Sequence, residues 1–237
     1  MAAHAVTDAE EEYLQSIFWL QEAGLPMTAA NLARAMQLSA PTVHEMVGRL
    51  EDDGYVTRAA DKSLSFTASG RDHASQIVRR HRLIERFLTD VLNIPWDEVH
   101  EEAERLEHAM SPTLEERMLA AIGDAKTCPH GHPIAAGTRE EGVPLADVEE
   151  GASLRVLRFE NEAEDVLHYL KETGLHPGLE GTLAAAGEDE VAIESNGSRH
   201  VVTRSVAETV SVTADPSPPS RVALPDQLVL GKERYGR

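Results

Sequence analysis

Residues 28–66 hold the pattern that most constrains the fold. Thr28 can cap a short helix, and a tight turn, "QLSAP", separates it from a second helix. Ser39 can cap this second helix, and Pro41 lies in its first turn, where proline is tolerated. The stretch "YVTRAADKSLSF" then reads as two short strands around a turn at 61–62. Two helices joined by a tight turn and followed by a hairpin predict a winged helix-turn-helix domain.

The distribution of charge favours this segment as a nucleic-acid surface. The 237 residues carry a formal net charge of −19, which over the whole chain argues against binding a polyanion. Residues 26–71, however, carry five acidic and five basic residues, so the other 191 residues hold the entire negative charge. Double-stranded DNA is therefore the predicted partner of this segment. An ordinary small α/β domain that does not contact DNA is the alternative.

The second helix of such a motif enters the major groove by its N-terminal end. Hydroxyl groups there can contact phosphates or bases, and a glutamate can accept a hydrogen bond from cytosine N4. Basic residues farther along the helix and in the wing would contact phosphates. The predicted DNA-binding residues are Ser39, Pro41, Thr42, His44, Glu45, Arg49, Arg58 and Lys62. A solvent-exposed side chain without DNA contact is the alternative for His44.

The rest of the chain divides by pattern. Helices are predicted at 8–23, 71–92, 96–110 and 111–123. The broad apolar face of the helix at 71–92 predicts bundle packing or a dimer interface. A Gly/Pro-rich linker at 125–150 is followed by short strands and one helix, which predict a small β-barrel-like domain. The fold class is mainly α with small β parts. The predicted domains are 1–71, 72–140 and 150–215, and a flexible tail, 216–237.

Composition limits the location of the protein. The single cysteine, Cys128, excludes an intrachain disulfide and is typical of a reducing compartment. No N-terminal apolar segment is present, and no window approaches the 18 or more apolar residues that span a bilayer. We therefore expect a cytoplasmic protein that does not enter membranes.

The helix with the sequence "VHEEAERLEHAM", Val99–Met110, is unusually acidic. On a helical wheel of about 100° per residue, its apolar residues lie together on one side. A second face holds His100, Glu104, Glu107 and His108. A charged face is usually solvated, but in the preceding helix His81 and Glu85 form a further i,i+4 pair. Imidazoles with several carboxylates suit a divalent first-row metal. A metalloenzyme is a competing interpretation of the same residues.

The combined motifs resemble the diphtheria toxin repressor family of metal-dependent transcriptional repressors. The matching stretches are "EEEYLQSIFWL", "SAPTVHEMVGRLEDDGYV", "SLSFTASGR", "RRHRLIERFLTDVL", "WDEVHEEAERLEHAMS" and "PHGHPI". The resemblance implies a homodimeric repressor rather than an enzyme. It also implies a palindromic DNA operator, a helical metal-binding and dimerisation domain, an SH3-like third domain and no small-molecule substrate.

The resemblance also implies two metal sites. The implied ligands of the primary site are Glu12, Glu104, Glu107 and His108, and those of the ancillary site are His81, Glu85 and His100. Iron-sensing members carry methionine at the place of Glu12 and cysteine at the place of Glu104. Carboxylates at both positions favour Mn²⁺, with Fe²⁺ as the alternative. Gln15 stands where some manganese sensors have a further glutamate.

Two other segments resemble parts of the ancillary site. The third domain often lends side-chain oxygens to that site, and Glu162, Glu164 and Asp165 are the candidates. The turn "CPHGHP" with Cys128 and His132 resembles a Cys-x-His-x-His metal loop. A polar turn without metal is the preferred interpretation of this loop.

Overall fold

The computed structural model describes residues 6–135 and 139–215. The predicted flexible tail, 216–237, lies outside the described residues. The fold is mainly helical, with a larger sheet confined to the C-terminal part, as the sequence predicts.

The N-terminal part is a winged helix-turn-helix. Its elements are α1 (Asp8–Glu22), α2 (Ala29–Ala35), α3 (Ala40–Asp52), β1 (Val56–Arg58) and β2 (Leu64–Phe66). Side-chain oxygens of Thr7, Thr28 and Ser39 cap the three helices by accepting from backbone N–H groups. The two strands pair antiparallel to form the wing. Apolar faces of α1, α2 and α3 share one core with both strands, so α3, the recognition helix of the motif, packs in the same core as α1.

Three helices follow: α4 (Ala68–Leu92), α5 (Val99–Glu107) and α6 (Pro112–Ile122). The long helix begins earlier than predicted because Thr67 Oγ1 caps it, accepting from the backbone of Gly70. A separate core joins the C-terminal half of α4 to α5 and α6. Four large apolar side chains on these helices stay exposed: Val91, Leu92, Leu106 and Leu114.

The C-terminal part is a six-stranded antiparallel sheet with two helices. Its elements are β3 (Val143–Pro144), β4 (Ser153–Phe159), α7 (Glu164–Glu172), β5 (Glu180–Ala186), β6 (Glu190–Ser195), β7 (Ser198–Thr203), α8 (Arg204–Ala207) and β8 (Val210–Asp215). The strand order is β3-β8-β4-β5-β6-β7. Strand β3 lies inside the segment that the sequence assigns to the linker, because Val143 pairs with Val212 on β8.

No helix within the described ranges is both long enough and apolar enough to cross a membrane.

Candidate metal centre

Five ligand-type side chains converge at one buried point, which we call the Glu85 cluster: His81, Glu85, His100, His130 and Glu162. Glu85 Oε1 lies 3.0 Å from His81 Nε2, 3.1 Å from His100 Nδ1 and 3.2 Å from His130 Nδ1. Glu162 Oε2 lies 3.3 Å from His100 Nδ1. His81, Glu85 and His130 are at most 1% exposed. All three predicted ancillary residues are therefore brought together.

Different parts of the chain supply these side chains. His81 and Glu85 stand one turn apart on α4, while His100 comes from α5. Glu162 follows β4, so of the three C-terminal candidates it is the one that reaches the cluster. His130 lies in the turn that the Thr127–Pro133 bridge closes, and its Nε2 lies 2.7 Å from the carbonyl oxygen of Trp96.

The turn at 128–132 packs directly on the C-terminal sheet. Gly131 has a φ of +94°, and a Cβ atom there would lie 2.0 Å from the carbonyl oxygen of Leu157. Only glycine satisfies both the left-handed backbone and this close approach. The turn is thus wedged between α4 and β4, which fixes His130 beside Glu85.

Burial disfavours the charged forms of the side chains in the cluster. Neighbours of opposite charge favour these forms and outweigh the effect of burial. Despite burial, Glu85 and Glu107 raise the pKa of His81 well above its usual value. Burial also lowers the pKa of His100, but hydrogen bonds to Glu162 and Glu85 raise it to about 9. Glu162 is buried next to the Glu85 carboxylate, yet His130 and His100 lower its pKa to about 2. Positive charge is therefore stabilised at this point, whether it comes from protons or from a cation.

Two further observations support a fit between these side chains and a divalent cation. Among the described residues, Glu85 Oε2, His100 Nε2 and His132 Nδ1 are buried without a hydrogen-bond partner. Cys128 is fully buried and forms a second ligand-type group with Glu85 and His130, with ligand atoms within 4.8 Å of one another. Burial raises the pKa of the Cys128 thiol, so this group would have to lose a proton before it bound metal.

A second set of residues joins α1 to α5, and we call it the Glu107 junction: Glu11, Gln15, Glu107 and His108. His108 Nδ1 lies 2.7 Å from Glu11 Oε2, and its Nε2 lies 3.5 Å from Glu107 Oε1. Gln15 Nε2 donates to Glu107 Oε2 over 3.1 Å. The junction therefore joins the DNA-binding part to the helical part.

The structure does not gather the four predicted primary residues at one point. Within the described ranges, no group of ligand atoms within 4.8 Å includes three of Glu12, Glu104, Glu107 and His108. Glu11, one residue before the predicted Glu12, contacts His108 and forms a group with Asp8. Glu104 Oε1 lies 3.8 Å from His100 Nε2, on the side of the Glu85 cluster. Glu107 faces both sets of residues.

The predicted DNA-binding residues on α3 occupy its outer side. Val43, Val47 and Leu50 face the core. The exposed side chains are Pro41, Thr42, His44 and Glu45. Ser39 Oγ caps the helix by accepting from the Thr42 backbone and lies 2.7 Å from Thr42 Oγ1.

The predicted phosphate-binding cations differ in their partners. Arg49 is half-exposed and pairs with the buried Glu10 at 3.1 Å. Arg58 pairs with Glu51 at 2.7 Å. Lys62 is exposed at the tip of the wing, with a φ of 67°.

Comparison with known proteins agrees with this architecture. Residues 5–64 match the N-terminal DNA binding domain of the iron dependent repressors. Residues 67–136 match the metal binding and dimerisation domain of the same family, and residues 143–214 match the FeoA domain. The iron-dependent repressor IdeR of Mycobacterium leprae is 32% identical over 212 residues, which are 83% of this chain and 92% of that protein. The chain belongs to the diphtheria toxin repressor family.

Solved structures of similar proteins agree with this assignment. A manganese-dependent transcriptional repressor in complex with manganese is 30% identical, with a TM-score of 0.78 over 86% of this chain and 99% of that one. The manganese regulator SloR is 32% identical, with a TM-score of 0.71 over 86% and 97% of the two chains.

The protein is thus a metal-dependent DNA-binding transcriptional repressor with a dimerisation domain and an SH3-like C-terminal domain. Because members of the family are repressors, the alternative of a metalloenzyme is wrong.

Sequence reasoning missed three features of the centre. His130 is absent from the predicted ligands, because the Cys-x-His-x-His spacing that carries it favours a polar turn. The Glu11–His108 contact and the Gln15–Glu107 hydrogen bond were also missed. These two contacts join residues 97 and 92 positions apart, so no local signal could have indicated them.

Proposed function

We propose that this repressor is activated by Mn²⁺, with Fe²⁺ as the alternative, and that it acts in the cytoplasm. The proposed primary ligands are Glu12, Glu104, Glu107 and His108, and the ancillary ligands are His81, Glu85 and His100. The observation that carries the proposal is the donor set, because carboxylates and imidazoles dominate both regions. Hard oxygen donors favour Mn²⁺ over softer ions. Two of the solved relatives are described as manganese regulators, whereas the Mycobacterium leprae relative is described as iron-dependent.

The junction residues of the chain explain how metal could control DNA binding. Glu11 of α1 and Glu107 of α5 approach the two ring nitrogens of His108, and these carboxylates repel when no positive charge lies between them. A bound divalent cation would supply charge neutralisation and a fixed geometry for these oxygens. Gln15 and Glu11 then hold α1 in one orientation against α5. Since α1 and α3 share one core, that orientation also positions the recognition helix.

A homodimer would present two recognition helices to one operator. The exposed apolar residues of α4, α5 and α6 form the proposed dimer surface: Val91, Leu92, Leu106 and Leu114. A twofold dimer requires a palindromic operator whose half-sites lie in successive major grooves. The residues proposed to contact it are Ser39, Pro41, Thr42, His44, Glu45, Arg49, Arg58 and Lys62.

Operator binding across a series of metals tests the proposal. DNA from upstream of the protein's own gene would be titrated with the protein in Mn²⁺, in anaerobic Fe²⁺ and in chelator. We expect tight binding in Mn²⁺ and a loss of about 5- to 150-fold in chelator, the usual range of allosteric coupling. Equal affinity in Mn²⁺ and chelator would contradict the proposal. Activation by Fe²⁺ at lower concentrations than Mn²⁺ would favour the alternative.

Substitution of Glu104 sharpens the choice of metal. Glu104→Cys introduces a softer ligand, so we expect preference to move toward Fe²⁺. Glu104→Asp retains a carboxylate and serves as the control, because it should keep the order of metal preference even where overall affinity falls.

A further inference from the structure

A groove separates the C-terminal half of α4 from the C-terminal sheet. Its volume is about 520 Å³, which lies in the range of roughly 300–1,000 Å³ typical of small-molecule sites. Arg86 and Thr89 of α4 line one wall, and Arg155 and Arg158 of β4 line another. The chain at 126–133 also contributes to the lining. None of the proposed metal ligands lines this groove.

The charge of the lining is opposite to that of the whole chain. The chain has 41 acidic and 22 basic residues. In the groove, by contrast, the basic side chains are Arg86, Lys126, Arg155 and Arg158, and Glu140 is the one acidic side chain in the lining that the structure describes. Cations gathered in a cleft of an acidic protein concentrate anions there. The groove therefore favours a negatively charged ligand.

Two of the arginines are fixed in place by the walls. Arg86 Nε donates to the carbonyl oxygen of Thr127 over 2.7 Å. Arg158 Nε donates to Glu160 Oε1, and its Nη1 donates to the carbonyl oxygen of Glu140, both over 2.8 Å. These guanidinium groups hold the shape of the groove and contribute positive potential.

Three other polar side chains are available to a ligand. Lys126 is exposed and has no ion pair within the described ranges. Arg155 is 39% exposed and pairs at 2.7 Å with Glu140, which is 54% exposed, so water weakens this pair and an incoming anion can displace the carboxylate. Thr89 Oγ1 is buried without a hydrogen-bond partner among the described residues, and a ligand oxygen could accept its proton.

The groove also has an apolar surface. Trp96 is half-buried and lines it together with Leu157 and Pro177. A simple inorganic anion would use the cations and leave this surface uncovered. We propose that the groove binds an organic phosphate of the nucleotide class, with its phosphates against Lys126 and Arg155 and its ring against Trp96. The planar fork of an arginine matches the geometry of a phosphate, and a ring can stack on an indole.

Calorimetric titration of the full-length protein tests the proposal. The probes are ATP, inorganic triphosphate and adenosine, all in chelator so that no metal–nucleotide complex forms. We expect one ATP to bind per chain. Inorganic triphosphate lacks the ring and should bind about 10-fold more weakly, as loss of a stacking contact typically does. Adenosine lacks the charges and should also bind at least about 10-fold more weakly, as loss of one hydrogen bond to a charged group is sufficient to cause.

Charge reversal in the groove locates the site. Lys126→Glu and Arg155→Glu should each weaken ATP binding by about 10-fold or more, again from loss of a charge-assisted contact. Arg199→Glu is the matched control, because Arg199 is also an exposed arginine paired with a glutamate, Glu194, but lies on β7 outside the groove. The control should bind ATP as the natural protein does. All three positions are exposed, so we expect the variants to fold.

Four results would overturn the proposal. The first is absence of ATP binding to the natural protein. The second is an equal loss in Arg155→Glu and Arg199→Glu, which would show that only overall charge matters. The third is a loss of ATP binding in Lys62→Ala, which would place the nucleotide on the DNA-binding surface. The fourth is an affinity for inorganic triphosphate or adenosine equal to that for ATP, which would exclude combined recognition of phosphate and ring.

Discussion

The Glu85 cluster and the Glu107 junction use similar residues in different settings. The ionisable atoms of the cluster lie within 3.6 Å of a partner, and its members come from α4, α5, the turn at 128–132 and the C-terminal part. None of its side chains comes from the winged helix-turn-helix. The junction, by contrast, draws on α1, and its outer members are less buried, with Glu11 19% exposed and His108 14% exposed.

This difference assigns different mechanical roles to the two regions. We expect charge brought to the Glu85 cluster to stabilise the attachment of the C-terminal part to the helical part. We expect charge brought to the junction to change the angle between α1 and α5, and hence the position of the recognition helix. The cluster should therefore govern stability more than operator binding, and the junction should do the opposite. The following experiments test this division.

The largest effect on stability is expected from Glu85→Ala. The variant would leave buried histidines without the carboxylate that keeps them charged, and breaking a buried ion pair costs about 3–5 kcal/mol. Urea unfolding of the chelated protein would measure the loss. Glu164→Ala removes an exposed carboxylate of α7 and is the matched control, for which we expect almost no change. Similar losses in the two variants would contradict the assignment of the cluster as a structural unit.

The largest effect on operator binding is expected from Glu104→Ala. We expect Mn²⁺-stimulated binding to fall by about 100-fold, near the full coupling energy, while the melting temperature changes little. Glu101→Ala lies one helical turn away, where Glu101 is exposed and pairs with Arg105, and is the control. If both variants kept the response to metal, Glu104 would not belong to the site.

A smaller effect is expected from pH. The pKa of His100 is raised from 6.5 to about 9, so its stabilisation is complete below about pH 6.5 and disappears as the pH rises through about 9. Glu162 has the opposite sign: its pKa is lowered to about 2, so its stabilisation is present above about pH 4.5 and is lost as the pH falls through 2. Chelated protein should therefore melt at lower temperature as the pH is raised from about 6.5 to 9.

Bound metal should reverse that trend. A cation replaces the protons on the imidazoles, so the stabilisation by Mn²⁺ should increase over the same pH range. Parallel melting curves in chelator and in Mn²⁺ measure the difference. A constant gap between the two curves would indicate that the histidines of the cluster do not exchange protons for metal.

The smallest effect is expected in the wing. Lys62→Ala should weaken operator binding only a few-fold and reduce the slope of log affinity against log salt by about 1, as loss of one phosphate contact does. Lys126→Ala removes the same charge from an exposed position outside the winged domain and should leave the slope unchanged. Fluorescence anisotropy at several salt concentrations distinguishes the two.

Local signals were sufficient to predict most of the fold. Caps at Thr28 and Ser39 and the turn at 61–62 identified the winged helix-turn-helix, because such signals act within a few residues. Strand β3 was missed because it has only two residues and depends on pairing with β8, far along the chain. The helical part was predicted with end errors of a few residues, since its ends depend on caps such as Thr67.

Residues of the metal centre could be predicted from the sequence only where spacing along a single helix relates them. His81 with Glu85 follows the i,i+4 rule, and His100 follows the wheel of α5. Glu162 remained one of three candidates because a residue from another domain has no spacing rule that relates it to α4. The predicted primary set stays a prediction, since His108 contacts Glu11 and Glu104 approaches His100. The rotation of α1 about its axis decides whether Glu11 or Glu12 faces α5. That rotation depends on packing contacts with other helices, which the sequence alone does not give.

The ion pair between Arg58 and Glu51 affects how the repressor distinguishes its operator from the rest of the chromosome. A phosphate that engages this arginine must first displace a carboxylate at 2.7 Å, and Arg49 faces the same exchange with Glu10. The Arg58–Glu51 pair is partly exposed, and surface ion pairs are worth at most about 1 kcal/mol, so specific operator contacts can displace it while contacts with unrelated DNA gain little. We therefore expect these acidic partners to weaken binding to unrelated DNA, whether or not metal is present.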